Sequence, residues 1–207
     1  MKLIYKGRFK GKDQLPIGEL PPNAVKFKEP NSLVMVNVIA LFFLIPALML
    51  VFLALVFSVV LHGELYLSFS LTKWLIAGVL FFLIIFPHEI LHAICFGKDA
   101  EVELYVSPLA IFVTSTVPIT KKRFIFLSLL PNLVFGWIPL LLWVVLPYFG
   151  SFSNVLFFFA LLSIVAGAAD YMNVFNAMRQ MPKGSIQQLS GLNSYWFMPD
   201  DISENPQ

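Results

Sequence analysis

Four long apolar runs alternate with short polar segments along the chain. The runs cover residues 33–61, 71–96, 123–149 and 154–178. A helix of about 20 predominantly apolar residues is long enough to cross the hydrocarbon core of a bilayer. The pattern therefore predicts an all-α membrane protein with four transmembrane helices, in a membrane domain that covers residues 33–184.

The segments outside the apolar runs are polar. Residues 1–32 are basic and contain several prolines, which excludes a long helix. We predict a basic cytoplasmic tail there and a second cytoplasmic tail at residues 185–207. We expect no signal peptide, because the first apolar run is too long and begins too far from the N-terminus for a cleaved segment.

One connection between the runs differs from the others. Residues 101–106 and 110–117 are rich in β-branched and aromatic residues and are separated by Ser107 and Pro108. This composition predicts a short β-hairpin-like segment between the second and third spans. The segment is either a structural loop or an edge to which an extended peptide adds as a strand.

The composition supports a membrane protein. Hydrophobic residues make up 58% of the chain and charged residues 13%, whereas soluble domains contain about 25% charged residues. The net charge of +2 gives no support for a nucleic-acid partner. The expected partners are the lipid bilayer and a membrane protein or peptide, and the sequence does not predict an oligomeric state. The single cysteine, Cys95, excludes a disulfide framework and a Cys-rich metal site.

The basic residues near the span ends predict an orientation, since Lys and Arg are concentrated in cytoplasmic loops. The N-terminal segment, Lys98, Lys121–Arg123 and Arg179 are basic, whereas residues 62–72 and 150–153 contain no Lys or Arg. We therefore expect a multi-pass protein of the cell membrane. Both termini and the middle connection are predicted to face the cytoplasm.

The second apolar run contains the sequence His88-Glu89-Ile90-Leu91-His92. On a helix, His88 and His92 project from one face, one turn apart, and this spacing lets two neutral imidazoles bind one zinc ion. Glu89 is placed to act as the general base for a water activated by the metal. The alternative is a structural pair of histidines hydrogen-bonded inside the bundle, with Glu89 as their partner. Ionisable groups at membrane depth are usually functional, which favours metal binding.

A catalytic zinc site usually has three protein ligands and one open position. The third histidine, His62, is predicted on the opposite side of the membrane. Helical rise places His88 and Asp170 at similar depths, roughly 15 Å and roughly 14 Å from the cytoplasmic ends of their spans. We therefore predict Asp170 as the third ligand, although it could instead be a packing group or a hydrogen-bond partner of a histidine. The weaker rivals are Asp99, Glu101 and Glu103.

Two further polar or helix-breaking positions lie at membrane depth. Pro87 should bend the second span just before the histidines, either to admit water or as a packing kink. Asn132, beside Pro131, is predicted to bind substrate or a water molecule. It could instead hydrogen-bond to a neighbouring helix.

Together, the His88 to His92 motif and the distant Asp170 resemble the site-2-protease type of intramembrane zinc metalloprotease. The chain is more similar to a family of small four-span bacterial zincin peptidases. The stretch from Ala169 to Asn173, followed by Arg179-x-Met-Pro-Lys-Gly184, resembles the final-helix pattern of that family. The resemblance implies a Zn²⁺ cofactor, His88, His92 and Asp170 as its ligands, and Glu89 as the catalytic residue.

Three functions are consistent with these residues. The first is an intramembrane zinc metallopeptidase, a hydrolase that cleaves membrane-embedded or membrane-proximal peptides. The second is a non-proteolytic membrane protein that uses the metal for assembly or sensing. The third is a proton or metal transporter with a His/Glu/Asp relay. Transporters usually show internal repeats, and no repeat is visible in this sequence.

Overall fold

The structure is a computed structural model and describes residues 1–30, 32–108 and 110–199. Helices form most of it, and short strands lie near both termini and in the middle of the chain. The helices are α1 Leu33–Ala40, α2 Leu44–His62, α3 Leu71–Ile94, α4 Lys121–Asn132, α5 Ile138–Val145, α6 Ser151–Ala166 and α7 Ala168–Gln180. The strands are β1 Lys2–Arg8, β2 Val25–Lys26, β3 Glu101–Val106, β4 Ile111–Thr114, β5 Ile119–Thr120, β6 Ile186–Ser190 and β7 Asn193–Phe197.

The first apolar run folds into α1 and α2, joined by a 3₁₀ turn at Leu41–Phe43. Pro46 explains this turn, because its ring displaces the carbonyl of the residue four positions earlier, Phe42, from the helical hydrogen-bond ladder. The joined helices form a candidate membrane span of 29 residues, Val34–His62. Gly63 then ends α2 with a left-handed φ of 81°, which a residue with a side chain rarely adopts.

The second apolar run forms α3, a single helix of 24 residues. The bend predicted at Pro87 does not divide it, because α3 continues through Pro87 to Ile94. This continuity keeps His88 and His92 on the same helical face, one turn apart.

The third apolar run is a composite helix that spans 25 residues, Lys121–Val145. The Thr120 hydroxyl begins it by accepting a hydrogen bond from the backbone N–H of Arg123. A π-helical turn at Leu133–Trp137 then separates α4 from α5. Turns of this kind are frequent at functional sites, and this one begins directly after Asn132.

The fourth apolar run is divided in two. Helices α6 and α7 meet at Gly167 with a bend of 50°. By length and composition, three helices could cross a membrane, and the bent pair is a fourth only if α6 and α7 are taken as one span. The structure therefore supports membrane association through three candidate spans.

The prediction of a helical membrane protein is confirmed only in part, because the structure is mostly helical but its strands form two sheets. In the first sheet, of order β1-β3-β4, β1 pairs in parallel with β3, and β3 pairs antiparallel with β4. The second sheet is antiparallel and has the order β2-β7-β6-β5. The predicted hairpin between the second and third spans is thus confirmed as β3 and β4. The segments predicted as tails contribute β1 and β2 at one end of the chain and β6 and β7 at the other.

The sheets gather at the end of the helices where α3 ends and α4 begins. One apolar core joins the sheets to these helix ends and includes Val102, Phe124 and Ala177, all buried. A second core lies among the helices, and a smaller third core packs Ala40 of α1 against Ala168 of α7. The first core includes both Ala93 of α3 and Ala177 of α7, and the third core packs α7 against α1.

Candidate metal centre

Two histidines of α3 form the centre of the candidate site. His92 is buried and His88 is partly buried. Their Nε2 atoms lie 3.2 Å apart, as the one-turn spacing on a continuous helix requires. Both imidazoles therefore present the same nitrogen to a common space.

Asp170 reaches the same space from the first turn of α7. Its Oδ2 lies 3.5 Å from His88 Nε2, and its Oδ1 lies 3.5 Å from His92 Nε2. Tetrahedral zinc holds nitrogen and oxygen ligands at about 2.0–2.1 Å, which places neighbouring ligand atoms about 3.4 Å apart. The separations of 3.2 to 3.5 Å are close to this spacing, with a different oxygen of Asp170 facing each imidazole.

A backbone contact fixes the tautomer of His92. Its Nδ1 lies 2.9 Å from the carbonyl oxygen of Leu127 in α4. A carbonyl oxygen can only accept a hydrogen bond, so Nδ1 carries the proton and Nε2 keeps its lone pair. Hydrogen bonds of this type orient the histidine ligands of metal sites.

Asn132 holds Asp170 in place. Its side chain is 1% exposed, and its Nδ2 donates to Asp170 Oδ2 at 2.7 Å and to the Ser128 carbonyl at 3.3 Å. Gly167 leaves the room that this amide needs, because a Cβ at Gly167 would collide with the Asn132 side chain. Asn132, for which the sequence predicts contact with substrate, thus orients the Asp170 carboxylate from α4.

Glu89 lies beside the histidines and is 8% exposed. The backbone N–H of Val113, in β4, donates to its Oε2 at 3.0 Å. Ligand atoms of Glu89, His88 and His92 all lie within 4.8 Å of one another, so this trio is also a possible metal group. Asp170 is the other carboxylate beside the two imidazoles, and each of its oxygens lies 3.5 Å from one histidine nitrogen.

The rival carboxylates have other surroundings. Glu101 pairs with Lys2 at 2.7 Å, and Glu103 pairs with Lys6 at 3.0 Å, both between β3 and β1. Asp99 is exposed in the loop after α3. His62 lies at the end of α2, where its Nε2 is 2.9 Å from the Val144 carbonyl.

A cavity of about 390 Å³ opens from the centre. Its wall includes the three proposed ligands, Glu89, strand β4 and the hairpin of β6 and β7. Sequence reasoning missed Glu29, which precedes α1 and also lines this cavity. The only signal for Glu29 is a carboxylate just before Pro30, which does not distinguish it from the other acidic residues of the N-terminal segment.

The fold and the site together indicate a membrane-associated protein whose His88, Glu89 and His92 form a group that could hold a metal ion. The chain belongs to the family described as "Putative zincin peptidase", whose model matches residues 81–186, about half of the chain. No curated protein and no solved structure matches it. The family assignment confirms the resemblance to the zincin peptidases and supports a zinc-dependent metallopeptidase. The likeness to site-2 proteases stays a prediction.

Proposed function

We propose that the protein is an intramembrane zinc metallopeptidase of the site-2-protease type. The observation that carries this proposal is the position of Asp170, whose two oxygens each lie 3.5 Å from one imidazole of the zincin motif. The proposed substrates are membrane-embedded or membrane-proximal peptides. The candidate spans and the cavity beside the histidines support this class of substrate.

The proposed Zn²⁺ ligands are His88, His92 and Asp170, a donor set with two neutral imidazoles and one carboxylate. When bound, zinc polarises a carbonyl group and lowers the pKa of a water molecule. Because these three ligands leave the fourth tetrahedral position open, the donor set fits a catalytic centre better than a closed structural one.

Glu89 is the proposed general base. Its carboxylate accepts a proton from the attacking water and then donates it to the nitrogen of the leaving amine. The N–H of Val113 holds one carboxylate oxygen, so the orientation of Glu89 depends on β4. Asn132 keeps Asp170 directed at the histidines, and its contact supports this orienting role over direct substrate binding.

The substrate is proposed to bind in extended form along β4. This strand is at the edge of the first sheet and lines the cavity beside Glu89. An edge strand can pair with an added strand through its outward backbone groups, and in β4 the Val113 N–H is already bonded to Glu89.

We also propose a four-span topology in the cell membrane, with both termini in the cytoplasm. Strand pairing joins the N-terminal segment to β3 and to β7, so the two termini and the connection after α3 lie on one side. Strand β6 pairs with β5, which directly precedes α4. If α4 and α5 cross the membrane, the chain must therefore cross back to the side of β5 before β6 begins. The bent pair of α6 and α7 is then the fourth span.

The test of the peptidase is Glu89→Gln in the full-length protein. We expect the variant to keep its zinc, since the proposed ligands are intact, and to lose about 10²–10⁴-fold in cleavage rate with the general base. Membranes containing the wild-type protein should yield peptide N-termini that Glu89→Gln membranes lack. N-terminal labelling with mass spectrometry measures these ends, and elemental analysis measures the zinc.

The matched control is Glu19→Gln, because Glu19 is exposed in the N-terminal segment. This control should produce the same new N-termini as the wild type. Identical N-termini from wild-type and Glu89→Gln membranes would exclude hydrolysis by this mechanism.

A further inference from the structure

The cavity beside the metal centre has an uneven distribution of charge. Its described ionisable lining residues are Glu29, His88, Glu89, His92 and Asp170, and no Lys or Arg is among the described residues that line it. The charges of Glu89 and Asp170 are offset by a divalent ion in the proposed function. Among the described residues that line the cavity, Glu29 is then the only carboxylate with no proposed role in metal binding or proton transfer.

Glu29 reaches the cavity from outside the membrane spans. It lies between β2 and α1, and its Oε1 accepts a hydrogen bond from the backbone N–H of Ser194 in β7. This contact ties the N-terminal segment to the C-terminal hairpin. Among the ion pairs of the described chain, none includes Glu29.

The surroundings of Glu29 favour an incoming cation. Burial raises the pKa of this carboxyl to about 7, and its hydrogen bond with Ser194 and the charge of Lys26 offset this only in part. Glu29 also borders a second cavity, whose lining includes Lys26, Lys28 and Arg179, whereas the described lining of the catalytic cavity contains no Lys or Arg. An ionised carboxylate in such a place is stabilised when a positive group binds next to it.

We propose that Glu29 determines substrate specificity by receiving a Lys or Arg side chain of the bound peptide. The proposal rests on the proposed peptidase function and names its substrate class. Membrane-proximal segments on the cytoplasmic side are rich in Lys and Arg, so peptides of this class have the required residue close to a membrane span.

The test measures peptide binding, so that it does not depend on cleavage. The protein is full-length Glu89→Gln in detergent, loaded with zinc. The probes are fluorescent peptides of Ala, Val and Leu with a single Lys at each position in turn, and each is compared with the same peptide containing norleucine. We expect one Lys position to lower the Kd by about tenfold, the lower end of what close charge pairs across an interface contribute.

Adding Glu29→Gln should abolish the difference between the Lys and norleucine peptides. The Gln side chain keeps an oxygen that can accept the Ser194 N–H, so the anchor of the hairpin is preserved. Glu29→Lys should reverse the preference and favour a peptide with Glu at the same position. Glu19→Gln, an exposed control, should keep the preference for Lys.

Two results would overturn the proposal. One is equal affinity for the Lys and norleucine peptides at every position, and the other is a Lys preference that persists in Glu29→Gln. Either result would leave Glu29 only as an anchor for β7. The outcome is separate from the peptidase test, because a protein that binds Lys peptides through Glu29 but produces no new N-termini would contradict hydrolysis alone.

Discussion

Asp170 takes its orientation from a residue on another helix. Asn132 of α4 donates to one of its oxygens, while both oxygens face imidazoles of α3. Three helices thus meet at one carboxylate. The affinity of the proposed zinc site should therefore depend strongly on this side chain.

Replacing Asp170 with Ala removes one of three proposed ligands. We expect zinc affinity to fall by more than about 100-fold, since even the loss of an outer hydrogen-bond partner costs 10–100-fold. Elemental analysis of the purified protein, after dialysis against a weak chelator, measures the bound zinc. Asp99→Ala is the control, because Asp99 is an exposed carboxylate. Equal zinc content in the two variants would remove Asp170 from the ligand set.

For the individual residues of the site, sequence patterns identified those that lie on one helix and those that lie at the same depth in their membrane spans. His88, Glu89 and His92 follow from helical spacing, and Asp170 follows from its distance to the span end. The structure brings the two imidazoles and Asp170 together. Glu29 could not be found in this way, because its position depends on its contact with Ser194, a residue near the other end of the chain.

The bend between α6 and α7 positions an entire element of the site. Gly167 is at the bend, and its lack of a side chain lets the buried amide of Asn132 pass close to the backbone. The hydrogen bond from Asn132 to Asp170 therefore depends on the small residue at the bend.

Gly167→Ala tests this dependence. The added Cβ would collide with the Asn132 side chain, so we expect a loss of about 1–3 kcal/mol of stability, typical of overpacking, and weaker zinc binding. Thermal unfolding in detergent and zinc analysis measure the two effects. In the control Gly78→Ala, the new Cβ meets nothing within 4 Å in the interior of α3. That control should gain roughly 0.5–1 kcal/mol from helix propensity. Similar behaviour of the two variants would contradict the steric role of Gly167.

Apolar periodicity predicted the helices well but not their interruptions. The 3₁₀ turn before Pro46 has a local cause, and the π-helical turn after Asn132 also lies just before a proline, Pro139. The bend at Gly167, in contrast, lies against the Asn132 side chain of another helix. The strands show the same contrast. The hairpin of β3 and β4 is local and was predicted, but the parallel pairing of β1 with β3 joins distant segments.

For the whole molecule, the two sheets determine the topology of the membrane domain. They join both ends of the chain to the connection between α3 and α4. In the proposed topology, an even number of membrane crossings therefore separates these segments. This condition supports the proposed four spans.

Cysteine labelling in intact cells tests this topology. In a Cys95→Ala background, Glu64→Cys and Ser151→Cys should react with a membrane-impermeant maleimide from outside, since both positions are exposed. Lys12→Cys and Lys183→Cys should react only after the cells are opened. Labelling of Lys12→Cys and Lys183→Cys from opposite sides would contradict the four-span arrangement.

The parallel pairing of β1 with β3 also has a consequence for biosynthesis. Strand β1 leaves the ribosome first, but its partner Glu101–Val106 emerges only after α3 has been made. Asp170 emerges later still, and β7 follows it. The nascent chain thus carries an incomplete ligand set while the insertion machinery handles it. Zinc binding by the three proposed ligands must therefore wait until α7 has been made.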